Sequence, residues 1–309
     1  MNDIVASLSP FKTFRYFFRQ MAPLFWGVSI MPFYIGWSLA ARKIYPTGPS
    51  TEIIFFILGL LAVGPFLGGA TILFNDYYDR STDKHSRRKK NLPLMIGLLS
   101  PGSVHRLAIA LFVIAFILSL IVSLLFALFI SICILLSLIY SAPPLRLKER
   151  SGLDLLTNVL GSGVICSFAG WIIVRPLAEF PFFWILVPIL GVGAIYMPTT
   201  IIDYEPDVKE GVKTIATYLG KKKAFYLGIT FVILVNCAII AMAISNYIIS
   251  PKFILFTWPL VVIEIITYWY CLRKLDFKGG YYAILTFSIL AAIGNGLILL
   301  YHAGNLVLP

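Results

Sequence analysis

The chain is a series of long apolar stretches separated by short polar ones. Nine stretches have close to the 20 residues that a helix needs to cross a bilayer. The third and fourth come from one uncharged run, Leu107 to Ser141, which is too long for a single crossing. The pattern predicts an all-α membrane protein that forms one domain over residues 1–309. The predicted spans are 23–41, 53–75, 104–122, 124–141, 153–174, 182–202, 223–244, 253–271 and 281–302.

Composition supports a membrane protein. Hydrophobic residues make up 59% of the chain and charged residues 13%, against about 25% charged residues in soluble domains. Mean hydropathy is +0.90. The net charge of +11 would suggest nucleic acid as a partner of a soluble protein, but here we interpret the basic residues as topology signals and expect no nucleic acid.

The positions of the basic residues predict the orientation. With nine spans and a cytoplasmic N-terminus, 21 of the 25 Lys and Arg residues lie on the cytoplasmic side, as the positive-inside rule requires. Residues 1–22 carry basic and aromatic side chains, and they are predicted to form a short amphipathic helix on the inner membrane surface. The loops 76–103 and 203–222 then also face the cytoplasm.

Two acidic clusters follow even-numbered spans. Asn75, Asp79 and Asp83 recur every four residues after the second span, and Asp203 and Asp207 share this spacing after the sixth. Side chains four residues apart share one face of a helix. Hard oxygen ligands of this kind suit Mg²⁺, which completes its coordination shell with water and substrate phosphate. We expect both clusters to hold cations.

This chemistry predicts the substrate class. Cations bridging a diphosphate would keep the two acidic clusters from repelling each other and would stabilise the diphosphate as it leaves. A diphosphate held at the membrane surface with its tail in the bilayer implies an isoprenyl diphosphate. Ionisation leaves an allylic cation, which must be kept from water until a lipophilic acceptor attacks.

Two further acids have open interpretations. Asp154, at the start of the fifth span, is expected to cap that helix or to pair with Lys148 in preference to a direct catalytic role. Glu264 lies in the middle of the eighth span, where an acid is costly and is a functional candidate by default. It is equally compatible with a neutral carboxyl group or with one hydrogen-bonded to a neighbouring helix. Asn295, in the ninth span, is interpreted as an interhelical contact.

Three motifs resemble the UbiA superfamily of membrane prenyltransferases: NDYYDRSTD from Asn75, YSAPPLRLK from Tyr140, and DYEPDVKEGVKT from Asp203, followed by LGKKKA. The resemblance implies a nine-helix bundle, with two four-helix sets plus one helix, in which two Mg²⁺ ions bind a prenyl diphosphate near the cytoplasmic side. The implied metal-binding residues are Asn75, Asp79, Asp83, Asp203 and Asp207, and the four aspartates among them are also the implied catalytic residues. The implied diphosphate-binding residues are Asn75, Arg19, Arg88, Tyr140, Lys148 and Lys213.

The acceptor stays open at this point. Family members that prenylate aromatic acids or quinone precursors commonly have a segment like RPLPSG after the first motif, whereas this chain reads LPLMIG from Leu92 to Gly97. The Arg and Ser are replaced by Leu92 and Ile96, which argues against an aromatic carboxylate. Aromatic, isoprenoid and tetrapyrrole acceptors remain alternatives. A terpene cyclase acting on its own prenyl diphosphate is a second hypothesis, and a secondary transporter is a remote third.

Overall fold

The architecture is helical throughout the part of the chain that the structure describes. We analysed a computed structural model, which describes residues 9–84, 86 and 89–304, apart from the side chains of residues 255 and 256. Its principal helices are α1 (Pro10–Gln20), α2 (Pro23–Ala41), α3 (Ser50–Tyr78), α4 (Pro101–Val122), α5 (Leu124–Ser141), α6 (Leu153–Trp171), α7 (Phe182–Ile202), α8 (Lys221–Ile244), α9 (Lys252–Leu272) and α10 (Phe277–His302).

The helices occupy the places of the predicted spans. Within the described residues, eight of them are long and apolar enough to cross a membrane, and α9 fills the place of the predicted span 253–271. The all-α membrane fold is confirmed, while the number of nine crossings stays a prediction. The uncharged run is divided at Ser123, whose extended backbone ends α4 and whose hydroxyl accepts a hydrogen bond from the Phe126 amide at the start of α5.

The helices pack around three apolar cores, and two of them, α2 and α6, touch through their backbones. One apolar core lies among α2 to α6, a second joins α2 and α6 to α7, α8, α9 and α10, and a third lies among α7 to α10. Helix α2 crosses α6 where Gly36 faces Ser167 and Gly170 faces Phe33. A Cβ atom on Gly170 would lie 1.9 Å from the Phe33 carbonyl oxygen. Small residues therefore let the two backbones touch, as is usual between membrane helices.

Helix α1 is the N-terminal helix expected from the sequence. Its Phe11 and Phe14 side chains are exposed, and its last residue, Gln20, is fully buried. The Gln20 amide nitrogen donates to a carboxylate oxygen of Asp76 at 2.7 Å, and its carbonyl accepts from the Leu94 amide at 2.9 Å. These bonds fix α1 against the end of α3 and against the loop that follows it.

Candidate active site

The first acidic cluster lies where α3 ends. Asp79 leaves the helical conformation (φ −95°, ψ 4°), and a short helix, Arg80–Asp83, follows at once. The backbone nevertheless keeps its four-residue hydrogen bonds, because the Asp79 amide donates to Asn75 at 2.9 Å and the Asp83 amide donates to Asp79 at 2.8 Å. Asn75, Asp79 and Asp83 therefore remain on one side of the chain, as their spacing predicts.

The second cluster repeats this geometry at the end of α7. Asp203 has nearly the same backbone angles (φ −89°, ψ 2°) and precedes the short helix Tyr204–Glu210. The Asp207 amide donates to the Asp203 carbonyl at 2.9 Å. Both clusters thus sit at a helix end that turns into a second short helix. We call this end of the bundle the motif end.

Both clusters face one cavity of about 790 Å³. From the motif end it continues between α2, α7, α8, α9 and α10 towards the opposite end of the bundle, where Trp184 and Phe253 line it. Leu24 on α2 and Tyr281 on α10 also line the cavity while being exposed. The cavity therefore joins the acidic clusters to an apolar interior and opens sideways between α2 and α10.

Basic side chains surround the first cluster. Arg146 contacts Asp79 at 3.1 Å, and Lys148 contacts the same carboxylate oxygen. Lys89 bridges Asp76 at 2.7 Å and Asp83 at 2.8 Å. Burial lowers the pKa of Lys148, and the neighbouring Asp79 carboxylate opposes this shift. Burial raises the pKa of Asp83 to about 6, although Lys89 acts in the opposite direction.

The second cluster concentrates negative charge. Burial, together with the nearby carboxylate of Asp203, raises the pKa of Asp207 to about 7. The Thr214 hydroxyl donates to Asp207 at 3.4 Å. A bound cation is most stabilising where a neighbouring carboxylate disfavours the ionised form of an acid, as at Asp207. The charges of this cluster therefore fit a cation.

The donor set fits Mg²⁺ better than a metal held by protein ligands alone. Among the described residues no group of three or more acidic, His or Cys side chains is close enough to hold a metal ion. Mg²⁺ usually takes only one or two carboxylates and obtains its other ligands from water and substrate phosphates. In addition, Nε of Arg146 is buried and has no hydrogen-bond partner within the described residues, which leaves a donor for an anion.

The remaining residues implied by the resemblance are placed as follows. Tyr140 lines the cavity, with its hydroxyl beside Asn158 and Tyr196. Lys213 is exposed and is not part of the cavity lining. Arg19 donates to the Asn91 carbonyl at 3.3 Å, and it too lies away from the lining. Arg88 lies outside the described residues. The roles assigned to all these residues stay predictions.

Two residues near the site were not found from the sequence. Asp76 is 1% exposed and holds Gln20 and Lys89 together behind the first cluster. Asp76 does not share the four-residue spacing of Asn75, Asp79 and Asp83, so the spacing does not predict a role for it. Lys89 belongs to a basic run that also has an ordinary interpretation as a contact with anionic lipid. Only the folded loop shows that it reaches Asp76 and Asp83.

Asp154 does not pair with Lys148, which contacts Asp79 instead. It is fully buried and accepts hydrogen bonds from the Gly152 amide at 2.7 Å, the Ile215 amide at 2.8 Å and the Tyr196 hydroxyl at 3.1 Å. The bond to Gly152 resembles the expected cap. The other two connect α6 to α7 and to the segment after the second cluster, so Asp154 positions that segment.

Two polar residues lie deeper in the cavity wall. Glu264 accepts a hydrogen bond from Asn236 of α8 at 2.6 Å, which confirms the interpretation that its carboxyl group is bonded to a neighbouring helix. Asn295 instead donates to Ala291 of its own helix at 2.8 Å. Its side-chain oxygen is buried without a partner among the described residues. The expected interhelical contact of Asn295 is therefore not formed.

Comparison with known proteins identifies the family. The model of the UbiA prenyltransferase family matches residues 29–289, which is most of the chain. The chain belongs to the UbiA prenyltransferase family. Members of this family are prenyltransferases, and this protein is a membrane prenyltransferase.

Individual UbiA relatives differ in acceptor. The chain is 26% identical to a lycopene elongase/hydratase from Haloarcula japonica over 247 residues, which cover 80% of this chain and 79% of the relative. It is 28% identical to a 4-hydroxybenzoate octaprenyltransferase from Saccharophagus degradans over 170 residues, which cover 54% of each chain.

The fold matches solved UbiA structures. A UbiA homologue from Archaeoglobus fulgidus, bound to GPP and Mg²⁺, superimposes with a TM-score of 0.72 at 21% identity. The match covers 94% of this chain and 99% of the homologue. The predicted UbiA-type bundle is thereby confirmed.

Proposed function

We propose that this UbiA protein transfers a prenyl group from an isoprenyl diphosphate to a neutral lipophilic acceptor inside the membrane, with Mg²⁺ as its cofactor. The observation that carries the proposal is the cavity itself, with two acidic clusters and three basic side chains at one end and an apolar wall beyond them. The Archaeoglobus fulgidus homologue, bound to GPP and Mg²⁺, supports it.

The proposed donor site lies between the two clusters. Asn75, Asp79 and Asp83 on one side, and Asp203 and Asp207 on the other, would hold two Mg²⁺ ions. Bound there, Mg²⁺ would neutralise the charge that builds up on the leaving diphosphate. Arg146 and Lys148 line the same end of the cavity, and they would donate hydrogen bonds to diphosphate oxygens. Such charge-assisted bonds strengthen as the carbon–oxygen bond breaks.

The apolar wall would protect the allylic cation. The cavity runs away from the clusters past aliphatic and aromatic side chains of α7 to α10, where water is scarce and aromatic faces stabilise a cation. Tyr140 and Tyr196 lie at the border between the polar and apolar parts. The opening between α2 and α10 would admit lipid substrates directly from the bilayer. We further propose that the motif end faces the cytoplasm. In the topology predicted from the sequence, most Lys and Arg residues lie on the same side of the membrane as the acidic clusters, and that side is usually cytoplasmic.

The placement of the basic residues in the cavity wall favours a neutral acceptor, because they lie at the motif end and contact the acidic cluster there. Lys89, Arg146 and Lys148 are the basic side chains that line the cavity within the described residues, and each contacts a carboxylate of the first cluster. The deeper wall offers no cation to an acceptor carboxylate, and an unpaired charge there would be costly. The missing Arg and Ser of the segment from Leu92 to Gly97 agree with this. An uncharged isoprenoid therefore fits better than an aromatic acid.

Mg²⁺-dependent release of diphosphate tests this function. With purified protein in lipid nanodiscs and dimethylallyl or geranyl diphosphate, we expect EDTA to abolish the release and Mg²⁺ to restore it, since the acidic clusters bind the donor through the metal. Product analysis by mass spectrometry, with and without added lipid, separates transfer from cyclisation. Release that is unaffected by EDTA, or a cyclic product formed efficiently without an acceptor, would contradict the proposal.

Cavity length is expected to limit the length of the isoprenoid chains. Gly191 on α7 lines the cavity 12 residues before Asp203, a depth of about 18 Å along a helix. A Cβ atom there meets no other atom within 4 Å, so the backbone position accepts a side chain, and Gly191→Phe would shorten the cavity. We expect kcat/KM to fall at least about tenfold for long donors and to change little for dimethylallyl diphosphate.

Gly296→Phe is the matched control for this substitution. Gly296 lies on α10 outside the cavity lining, and a Cβ atom there also meets no other atom within 4 Å. The control should leave kcat/KM unchanged at every donor length. An equal loss for short and long donors in Gly191→Phe would show that the residue does not set a length limit.

A further inference from the structure

Among the described residues, Glu264 is the one acidic side chain of the cavity wall that lies away from the motif end. Seven acidic residues line the cavity within the described part of the chain, and six of them lie at the motif end. Glu264 instead projects from α9 eight residues before its last residue, Leu272, about 12 Å along the helix. That depth lies beyond the clusters and their diphosphate, in the part of the cavity where the prenyl chain and the acceptor would meet.

The carboxyl group of Glu264 is buried and only half satisfied. Glu264 as a whole residue is only 7% exposed. Asn236 donates to Oε2 at 2.6 Å and is itself anchored by a second bond to the Val232 carbonyl at 2.9 Å. Oε1 accepts no hydrogen bond from any described residue, and no described basic side chain lies within 4 Å of the carboxylate. A buried acid with one oxygen bonded in place and the other oxygen free indicates a group that acts on a ligand.

A group that accepts a proton suits the chemistry of a neutral isoprenoid acceptor. When the bond between the first prenyl carbon and the diphosphate breaks, the electron pair leaves with the diphosphate. The π electrons of an acceptor double bond then form the new carbon–carbon bond, and the positive charge moves to the acceptor. This cation becomes a stable alkene when a neighbouring carbon loses a proton and the C–H electron pair forms a new double bond.

We propose that Glu264 accepts this proton and that the acceptor is an isoprenoid alkene. Asn236 holds the carboxylate by Oε2 and so directs Oε1 into the cavity. The protonated Glu264 returns its proton to water when the product leaves. This inference rests on the proposed prenyl transfer, and it adds the acceptor class and the residue that ends the reaction. Proton transfer by a positioned side chain typically contributes a rate factor of about 100 to 10,000.

The test separates ionisation of the donor from completion of the product. Purified protein in nanodiscs is given Mg²⁺, geranyl diphosphate and, in turn, the polyenes squalene, phytoene and lycopene. Released diphosphate and prenylated polyene are both measured. In Glu264→Gln we expect diphosphate release to stay within about threefold, since the donor site is intact. The prenylated polyene formed per diphosphate should fall about 100-fold, with geraniol as the replacement product, and Glu264→Asp should recover part of this ratio.

Two further variants keep the test decisive. Asn236→Ala should lower the same ratio by about tenfold, since Oε2 loses its partner, and it gives a second route to the answer if Glu264→Gln does not fold. Glu179→Gln removes an acid whose ion pair with Arg175 is exposed and lies outside the cavity, and it should match the wild type.

Each contrary result has its own meaning. An unchanged ratio in either Glu264→Gln or Asn236→Ala would overturn the inference, as would parallel loss of diphosphate release and product in a folded Glu264→Gln protein. Wild-type protein that releases diphosphate and prenylates none of the three polyenes would overturn the acceptor class and leave the proposed function standing. Wild-type protein that releases no diphosphate from any prenyl diphosphate would instead contradict the proposed function.

Discussion

Replacing Asp79 by alanine is expected to abolish diphosphate release, with a loss of about 1,000-fold or more. The substitution removes a proposed metal ligand and leaves Arg146 and Lys148 without the carboxylate that both contact. Asp203→Ala should have the same effect from the other side of the cavity. The measurement is the initial rate of diphosphate release from geranyl diphosphate at saturating Mg²⁺, on protein that elutes as a folded species in detergent.

Glu205→Ala is the matched control for the acidic clusters. Glu205 lies between Asp203 and Asp207 in sequence, but its side chain is 74% exposed, pairs with Lys221 and does not line the cavity. This variant should keep close to the wild-type rate because an exposed ion pair contributes little. Full activity in both Asp79→Ala and Asp203→Ala would remove the acidic clusters from the reaction. A large loss in Glu205→Ala would show that the segment is sensitive to any loss of charge.

Gly170→Val is expected to have the largest effect on folding. The two helices α2 and α6 touch through their backbones at this point, and a Cβ atom would lie 1.9 Å from the Phe33 carbonyl oxygen and 2.9 Å from the Trp37 amide nitrogen. Because both atoms belong to the backbone, no side chain can move aside, and the helices must separate. We expect a cost above about 3 kcal/mol, seen as lost monodisperse protein and a lower unfolding temperature in detergent.

A second glycine of the same helix provides the comparison. Gly161 also lies on α6, but a Cβ atom there would meet only a methyl group of Leu136 at 3.7 Å, an ordinary contact. Gly161→Ala should therefore leave the unfolding temperature within experimental error, whereas even Gly170→Ala should lower it clearly. Equal stability of Gly170→Val and wild type would mean that α2 and α6 are farther apart than the structure shows.

Local pattern was enough to predict the helices and the acidic clusters. Membrane helices satisfy their own backbone hydrogen bonds, so long apolar stretches have essentially one available conformation in lipid. The four-residue spacing of Asn75, Asp79 and Asp83 survives the break at Asp79 because the backbone bonds continue across it. The same reasoning placed Asp203 and Asp207 correctly on one side of their short helix. Both features depend only on residues that are close together in the sequence, so the sequence is enough to predict them.

Contacts between distant segments needed the folded chain. Asp154 meets the Ile215 amide 61 residues later, and Gln20 reaches Asp76 across 56 residues. Such pairs leave no periodic signal, so pairing of Asp154 with the nearby Lys148 was a reasonable but incorrect expectation. Similarly, Lys148 contacts Asp79 because the loop after α5 lies against the end of α3. That arrangement cannot be predicted from residue spacing.

By itself the sequence determined that this protein is a helical membrane protein with two regularly spaced carboxylate clusters, and it predicted Mg²⁺ and a diphosphate as their ligands, because hydropathy, spacing and charge are local properties. Only the tertiary structure decided that both clusters line one cavity, that the basic residues of its wall gather at the motif end, and that Glu264 faces its interior with one oxygen held by Asn236. Those facts depend on which helix faces lie together, and helix packing is set by side-chain shape over the whole bundle.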